Sequence, residues 1–206
     1  MDEVLQDVRV VNLGSIEYES ALQKMRDFTF RRDADTADEL WLLEHPPVYT
    51  LGLAADPAHG PRADAGIPVV RVERGGEITY HGPGQLVMYT LVDLGRRGIK
   101  VRQFVRMLEQ SVIELLDGRA QARAGAPGVY VDGAKVAALG IRVSRGCAFH
   151  GLSLNVDMDL APFAAIDPCG YPGLRVTQTR DLGYAFTVAS AGERLARIFS
   201  EKLAHA

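Results

Sequence analysis

The amino-acid sequence predicts an α+β fold, in which helices interrupt a predominantly β middle. Three observations lead to this class. Apolar residues recur at helical spacing after Lys100, residues 128–146 alternate around the pair Asp132-Gly133, and another amphipathic segment follows Thr187. The chain has 206 residues, of which 47% are hydrophobic and 24% charged, so it can bury a substantial core. We therefore expect one domain over residues 1–206.

The N-terminal part predicts a strand, a helix and two further strands. Val8–Leu13 alternates as a short strand does, and Ser15 is expected to cap a helix that runs to about Arg31. Leu40–Leu43 and Val48–Leu51 are expected to be extended, because a pair of prolines separates them.

The middle of the chain begins with a predicted loop. Pro57–Pro68 contains three prolines and two glycines without a hydrophobic period. Strands are expected at residues 69–72 and 85–94, on either side of a glycine-rich stretch. A helix follows Lys100 and is expected to end at Gly118. Its apolar face consists of Val101, Phe104, Val105, Leu108, Val112, Leu115 and Leu116.

The C-terminal part predicts a hairpin, a strand, a loop and a helix. The turn at Asp132-Gly133 places Lys135 just beyond it. A strand is expected to begin at Cys147, and residues 161–174 form a loop rich in proline and glycine. The last helix is expected from about Thr187 to Leu203. The residues at capping-box spacing in it are Ser190 and Glu193.

Composition and charge exclude several classes of function. The net charge of −3 gives no overall basic surface for nucleic acid, and no apolar run approaches the roughly 20 residues of a membrane-spanning helix. The N-terminus is acidic, unlike a signal peptide, so we expect a cytoplasmic protein with both cysteines reduced. Cys147 and His150 form half of a zinc-type spacing, but no second pair follows, and we expect no metal.

The two cysteines lie in different contexts. Cys147 is expected to be a small buried residue at a strand start. Cys169 lies in a loop between prolines and glycines, where it is either a structural thiol or a nucleophile. A nucleophile would need a nearby cation or base, because a free thiol is mostly protonated at neutral pH. The residues available for this are His81, His150 and Lys135, and Lys135 precedes an apolar run against which it could be partly desolvated.

The stretch from Glu73 to Leu94 places several glycines beside polar residues. One interpretation is a pair of turns joining strands. Another is a ligand site, because clustered glycines permit close approach of the backbone and expose several N–H groups. Neither nucleotide-binding glycine motif is present.

Five segments resemble, in order, those of the lipoyl(octanoyl) transferases within the biotin/lipoyl protein ligase superfamily. These segments are HPPVYTLG from His45, RGGEITYHGPGQLVMY from Arg74, GAKVAALGIRVSRG from Gly133, FHGLSLNV from Phe149 and DPCGYPGL from Asp167. The resemblance implies a mixed sheet packed with helices, similar to the catalytic domain of biotin and lipoate ligases. It also implies that Cys169 becomes acylated and that Lys135 acts as its acid/base partner.

The resemblance implies that octanoyl passes from octanoyl-acyl carrier protein to a lysine of lipoyl domains. The acceptors would be 2-oxoacid dehydrogenase complexes and the glycine cleavage H protein, and no cofactor is needed because thioester and amide formation require no ATP. The implied acyl contacts are Arg74, Gly75, Gly76, Glu77, Ile78, Thr79, Tyr80, His81, Ala138, Leu139, Gly140, Gly151, Leu152 and Ser153. Ser153 departs from the alanine that the family often has.

Two alternatives to this function remain at the level of the sequence. An ATP-dependent lipoate ligase would share the fold without a cysteine nucleophile. A non-catalytic protein that binds lipoyl domains would need neither Cys169 nor Lys135.

A cluster of basic residues is a candidate docking surface for an acidic carrier protein. No acidic residue interrupts it, and its charges are expected to face water on a helix edge. It is either a solvated face or a patch that attracts the acidic donor. The cluster consists of Arg96, Arg97, Lys100, Arg102 and Arg106.

Overall fold

A computed structural model describes residues 3–56, 60–62, 66–167 and 173–206. Within these ranges the chain forms one large and one small β-sheet with four α-helices, which confirms the α+β prediction. The helices are α1 (Tyr18–Arg31), α2 (Leu94–Arg97), α3 (Val101–Leu115) and α4 (Val188–Ala204). The strands are β1 (Glu3–Leu5), β2 (Val8–Ser15), β3 (Asp38–Glu44), β4 (Val48–Leu51), β5 (Val69–Arg71), β6 (Ile78–His81), β7 (Gln85–Asp93), β8 (Gln121–Ala122), β9 (Gly128–Val131), β10 (Ala134–Ser144) and β11 (Cys147–Asn155).

The large sheet is mixed and has its strands in the order β1-β2-β3-β7-β11-β10-β9-β8. β2 and β3 are parallel, whereas the other neighbours are antiparallel. The small sheet has the order β5-β4-β6. A strand at the centre of the large sheet is covered on both faces, and every residue of β11 is accordingly buried.

Helices α3 and α4 cover one face of the large sheet. The apolar face of α3 buries Phe104, Leu108, Val112 and Leu115 against strand residues and α4. Val101, the first residue of α3, was predicted to belong to this apolar face, but it is 47% exposed. On the opposite face, α1 packs Ala21, Leu22 and Met25 against Trp41 and Tyr89.

Two predicted helix caps were wrong, for reasons of tertiary structure. Ser15 is the last residue of β2 and pairs with Glu44 of β3, so α1 begins later, after Glu17, without a side-chain cap. At α4, Thr187 rather than Ser190 is the N-cap. Its hydroxyl accepts the Ser190 N–H at 3.1 Å, while the Ser190 hydroxyl accepts the Thr187 N–H at 3.0 Å. The prediction had paired Ser190 with Glu193 instead.

Other element predictions were confirmed. The hairpin turn at Asp132-Gly133 joins β9 to β10, with both residues in the left-handed region that this type of turn requires. α3 ends at Leu115, three residues before Gly118, whose N–H returns to the Ile113 carbonyl. The predicted loop at residues 161–174 differs in part, because residues 161–165 form a 3-10 helix, and residues 168–172 lie outside the described residues.

Most of the basic cluster is exposed, as expected, but Arg96 and Arg97 also bind a buried carboxylate that the sequence did not reveal. The fully buried carboxylate of Asp38 binds Arg96 Nη2 at 2.8 Å and Arg97 Nε at 2.6 Å, and Arg32 Nη2 completes the group at 2.5 Å. Burial alone would raise the pKa of Asp38, but the Asp93 N–H and these guanidinium groups hold it below its usual value. Lys100, Arg102 and Arg106 remain exposed.

Replacing Asp38 with Asn should destabilise the fold strongly. The substitution removes the charge that three guanidinium groups share, and Arg32 is itself buried. We expect the free energy of unfolding to fall by about 3 kcal/mol in urea denaturation, since breaking a buried ion pair leaves an uncompensated charge.

The matched control is Asp157→Asn, whose partner Arg180 and whose own side chain are more than half exposed. This control should cost less than about 1 kcal/mol. Equal losses in the two variants would contradict a structural role for the Asp38 cluster.

Candidate active site

A small cavity of about 40 Å³ lies on the face of the large sheet opposite α3 and α4. Small residues of β10 and β11 form its floor, and the chain between β5 and β6 forms its roof. Residues of β7 and α1 complete it. The lining residues are Tyr18, Arg74, Gly76, Glu77, Ile78, Thr79, His81, Val87, Tyr89, Ala138, Leu139, Gly140, His150, Gly151, Leu152 and Ser153.

The structure brings together twelve of the fourteen predicted acyl contacts. The other two, Gly75 and Tyr80, do not line this cavity. Gly75 lines an adjoining cavity of about 300 Å³ that extends to Pro127. The Tyr80 ring packs between Tyr49 and Phe163, with centroids 5.5 Å away in each case. Sequence reasoning did not place Tyr18, Val87, Tyr89 or His150 in the lining, although His150 was weighed as a base.

Backbone lying directly against backbone holds the roof of this cavity. The Gly75 N–H donates to the Ile141 carbonyl at 2.9 Å. A Cβ added to Gly140 would lie 2.7 Å from the Gly75 oxygen, and one added to Gly52 would lie 2.2 Å from the Gly76 oxygen. Only glycine fits at Gly140 and Gly52, so these two positions let the roof lie directly against β10 and the chain after β4.

Arg74 crosses the cavity roof and is buried. Its Nη2 donates to the Thr50 carbonyl at 2.8 Å and to the Thr50 hydroxyl at 2.7 Å, and its Nη1 donates to the Gly75 carbonyl at 3.1 Å. The guanidinium therefore ties the roof to β4 and places a fixed positive charge in the cavity wall.

Three histidines are buried in this region, and Arg74 interacts electrostatically with two of them, His81 and His150. His45 bonds the Ile16 carbonyl and the Tyr89 hydroxyl, each at 2.7 Å, and His81 bonds Gln85 Oε1 at 2.7 Å. Burial is the main cause that lowers the pKa of His45 to about 4 and of His150 to about 3, and it lowers the pKa of His81 well below its usual value. All three imidazoles are therefore neutral at physiological pH, and among the described residues no carboxylate hydrogen-bonds to them to orient a general base.

His150 is the exception in hydrogen bonding. Neither of its ring nitrogens has a hydrogen-bond partner among the described residues, and its backbone has a φ of 61° within β11.

Lys135 is buried, as its position before an apolar run suggested. Its side chain lies over the Tyr130 ring, and Nζ donates to the Pro127 carbonyl at 3.2 Å. A β-bulge between Lys135 and Ala137 shifts the pairing with β9. Such a bulge re-aims side chains, and it lets Val136 and Ala137 both enter the core beneath α3 and α4.

Cys169 lies outside the described residues, but the chain on both sides of it is anchored. Asp167 forms an ion pair with Arg62. The chain after the loop pairs with β10 at Lys135, because Lys135 N–H donates to the Arg175 carbonyl at 2.8 Å and Thr177 N–H donates to the Lys135 carbonyl at 2.9 Å. Both flanks line one cleft together with Ala134.

Cys147 is buried, which confirms the expectation. Its thiol lies 3.7 Å from the Arg145 carbonyl, and burial raises its pKa. A thiol in this environment is a poor nucleophile. In the part of the chain that the structure describes, no group of histidine, cysteine and acidic residues is arranged to hold a metal ion. No helix in these same ranges is long and apolar enough to cross a bilayer.

The buried histidines should make stability fall with acidification. Their folded-state pKa values lie below the unfolded value of about 6.5, so the unfolded chain binds protons that the folded chain does not. The contribution of the neutral histidines to the free energy of unfolding is fully present above about pH 7. Between pH 6 and 4.5 the free energy of unfolding should fall by up to about 4 kcal/mol per pH unit if three histidines contribute. Urea denaturation at a series of pH values measures this slope.

Two variants test the origin of the slope. His150→Asn should reduce this slope by the amount that the uptake of about one proton contributes. His205→Gln, at an exposed C-terminal position, should leave it unchanged. A flat profile between pH 6.5 and 4.5 would show that the histidines are not held neutral.

Comparison with known proteins identifies the family. The profile of the lipoyl protein ligase A/B catalytic domain matches residues 17–200. An octanoyltransferase of Aromatoleum aromaticum is 60% identical over 189 residues, which cover 90% of this chain and 81% of that protein. An octanoyltransferase of Dechloromonas aromatica is 56% identical over 197 residues, which cover 94% and 96% of the two chains.

Solved structures agree with the predicted fold. A lipoate-protein ligase A bound with ATP has a TM-score of 0.78 at 17% identity, covering 95% of this chain and 85% of that one. The biotin protein ligase of Aquifex aeolicus has a TM-score of 0.56 at 13% identity, covering 95% and 69%. Together with the family profile and the close relatives, the mixed sheet and its cavity lead to one conclusion: this chain belongs to the lipoyl protein ligase A/B catalytic domain family.

Proposed function

We propose that this protein is an acyltransferase that moves an octanoyl group from an acyl thioester donor to a lysine of lipoyl domains. The observation that carries the proposal is the identity of 52–60% to proteins named octanoyltransferase over at least 90% of this chain. The cavity adds physical support. Its walls combine exposed backbone with small and apolar side chains, against which each buried methylene contributes about 0.8 kcal/mol.

The proposed reaction proceeds through an acyl-enzyme. The Cys169 thiolate attacks the thioester carbonyl of octanoyl-acyl carrier protein, and the carrier thiol leaves with a proton. The amine of the acceptor lysine then attacks the Cys169 thioester, which forms the amide and releases the cysteine. The first step exchanges thioesters of similar energy, and the second is downhill, so neither step requires ATP or another cofactor.

Lys135 is the proposed acid/base partner of Cys169. Its side chain is 3% exposed and lies beside the backbone to which the chain following Cys169 is paired. An ammonium held there would stabilise the thiolate, and the neutral amine could take a proton from the attacking lysine. The acceptors we propose are the lipoyl domains of 2-oxoacid dehydrogenase complexes and the glycine cleavage H protein.

Intact mass spectrometry tests the nucleophile. After mixing with octanoyl-acyl carrier protein without nucleotide, the wild-type protein should gain one octanoyl group, and Cys169→Ala should gain none. Cys147→Ser is the matched control and should be acylated normally, because Cys147 is a buried thiol of raised pKa. An adduct that persists in Cys169→Ala, or that maps to Cys147, would refute the assignment. An absolute requirement for ATP would favour a lipoate ligase.

Substitution of Lys135 by Arg tests its proton-transfer role. Arginine keeps the charge but cannot lose its proton and has a wider head group. Space is restricted, because a Cβ at Gly128 would lie 2.9 Å from Lys135 Cε. We expect octanoyl transfer to fall by about 100-fold or more, in keeping with the loss of a general acid/base.

The control for this variant is Lys100→Arg at an exposed position, which should transfer normally. Thermal denaturation would establish that both variants are folded. Near-normal transfer by a folded Lys135→Arg protein would leave Lys135 only an electrostatic role.

A further inference from the structure

Glu109 is a buried acidic residue on the sheet-facing side of α3. Its side chain belongs to a residue that is only 7% exposed, and its Oε1 accepts the Gly128 N–H at 3.1 Å. Within the part of the chain that the structure describes, no lysine, arginine or histidine forms an ion pair with it. A buried carboxylate without a cation costs stability, so packing of α3 alone would favour an apolar residue at this position.

The peptide unit between Pro127 and Gly128 connects Glu109 to Lys135. Its N–H donates to Glu109 Oε1, and its C=O accepts a hydrogen bond from Lys135 Nζ at 3.2 Å. In a trans peptide the N–H and C=O groups point in opposite directions. The acidic side chain and the lysine amine therefore hold one peptide plane from opposite sides.

Glycine at position 128 makes this plane easy to turn. Its φ is 143°, in the region that favours glycine, and an added Cβ would lie 2.9 Å from Lys135 Cε and 3.1 Å from Nζ. Residues 123–125 before it are exposed. The Tyr130 hydroxyl donates to the Ala126 carbonyl at 3.1 Å, which anchors the loop one peptide earlier. The bond to Glu109 is the one that ties the Pro127–Gly128 plane itself to a helix.

We propose that Glu109 is a positioning residue for acyl transfer, because it fixes the Pro127–Gly128 peptide and so lets the Pro127 carbonyl hold Lys135 Nζ in place. This inference rests on the proposed function, in which Lys135 is the acid/base partner of Cys169. Without the Glu109 side chain the peptide plane can turn and its carbonyl leaves Nζ. The amine then spends less time where it can exchange a proton with the reacting groups. Glu109 acts through Lys135 and takes no part in bond making.

Single-turnover acylation by octanoyl-acyl carrier protein, followed by intact mass, tests this role. In Glu109→Ala the rate at saturating donor should fall by about tenfold, the factor that loss of a hydrogen bond to a charged group supplies. The donor concentration that gives half of this rate should stay the same, because Glu109 is buried and cannot touch the carrier protein. Glu109→Gln keeps an oxygen that accepts the Gly128 N–H, and it should recover most of the loss.

The matched control is Ser111→Ala on the same helix. Ser111 is also buried, and its hydroxyl donates to the Met107 carbonyl, within α3. This variant loses a buried hydrogen bond without touching the Pro127–Gly128 peptide, and it should be acylated at the wild-type rate.

A double-mutant cycle separates positioning from a purely structural role. If Glu109 acts through Lys135, adding Glu109→Ala to Lys135→Ala should change the residual acylation rate by less than about twofold. An equal loss in both backgrounds would overturn the proposal, as would a Glu109→Gln protein as slow as Glu109→Ala. If thermal denaturation shows that Glu109→Ala is unfolded, Glu109→Met removes the acceptor while filling the space and takes its place in the cycle.

Failure of this inference is distinguishable from failure of the proposed function. Absence of any octanoyl adduct on the wild-type protein refutes octanoyl transfer through an acyl-enzyme. Normal acylation of Lys135→Ala refutes the acid/base role of Lys135. A slow Lys135→Ala protein together with a folded Glu109→Ala protein that is acylated at the wild-type rate refutes only the role of Glu109.

Discussion

The contact between the backbone of residues 74–76 and strand β10 is the constraint on which the cavity depends. The Gly75 N–H reaches the Ile141 carbonyl, and the Leu53 and Ala54 N–H groups reach the Arg74 and Gly76 carbonyls. The roof is thus bonded to the large sheet on one side and to the chain after β4 on the other. Glycine is required because any side chain at Gly140 or Gly52 would separate these layers. The same contact carries Arg74 into the interior, where Thr50 binds its guanidinium.

Burial keeps the histidines near this site neutral, and the Arg74 cation reinforces the effect at two of them. A positive charge in a desolvated wall disfavours a second one nearby, and it adds to the effect of burial in lowering the pKa of His81 and His150. The histidines therefore remain neutral and supply hydrogen bonds rather than charge. The cavity lining therefore consists of backbone and uncharged side chains, with Arg74 and Glu77 as the residues of charged type.

Elements encoded by local pattern were predictable, and those that depend on distant partners were not. The period of α3 and the Asp132-Gly133 turn are properties of a few neighbouring residues. The predicted cap at Ser15 was wrong because Ser15 pairs with Glu44 of β3, about thirty residues later, and therefore belongs to β2. Arg96 and Arg97 were taken as solvated, because their partner Asp38 lies nearly sixty positions earlier. The left-handed backbone of His150 had no signal in the sequence, since histidine does not mark such a position as glycine would.

The candidate site was predictable as a set of residues because the family resemblance supplied the set, but the arrangement of these residues was not. The arrangement depends on register: β10 and β11 pair Ala138 with Ser153 and Gly140 with Gly151, and all four residues line the cavity. The bulge after Lys135 sets where this register begins, because it turns Val136 and Ala137 together into the core. A shift of one residue in this register would reverse the faces of β10, exposing the core residues to the cavity and burying Ala138 under the helices. The bulge and the glycine contact at Gly140 therefore fix the same strand at both ends of the proposed acyl site.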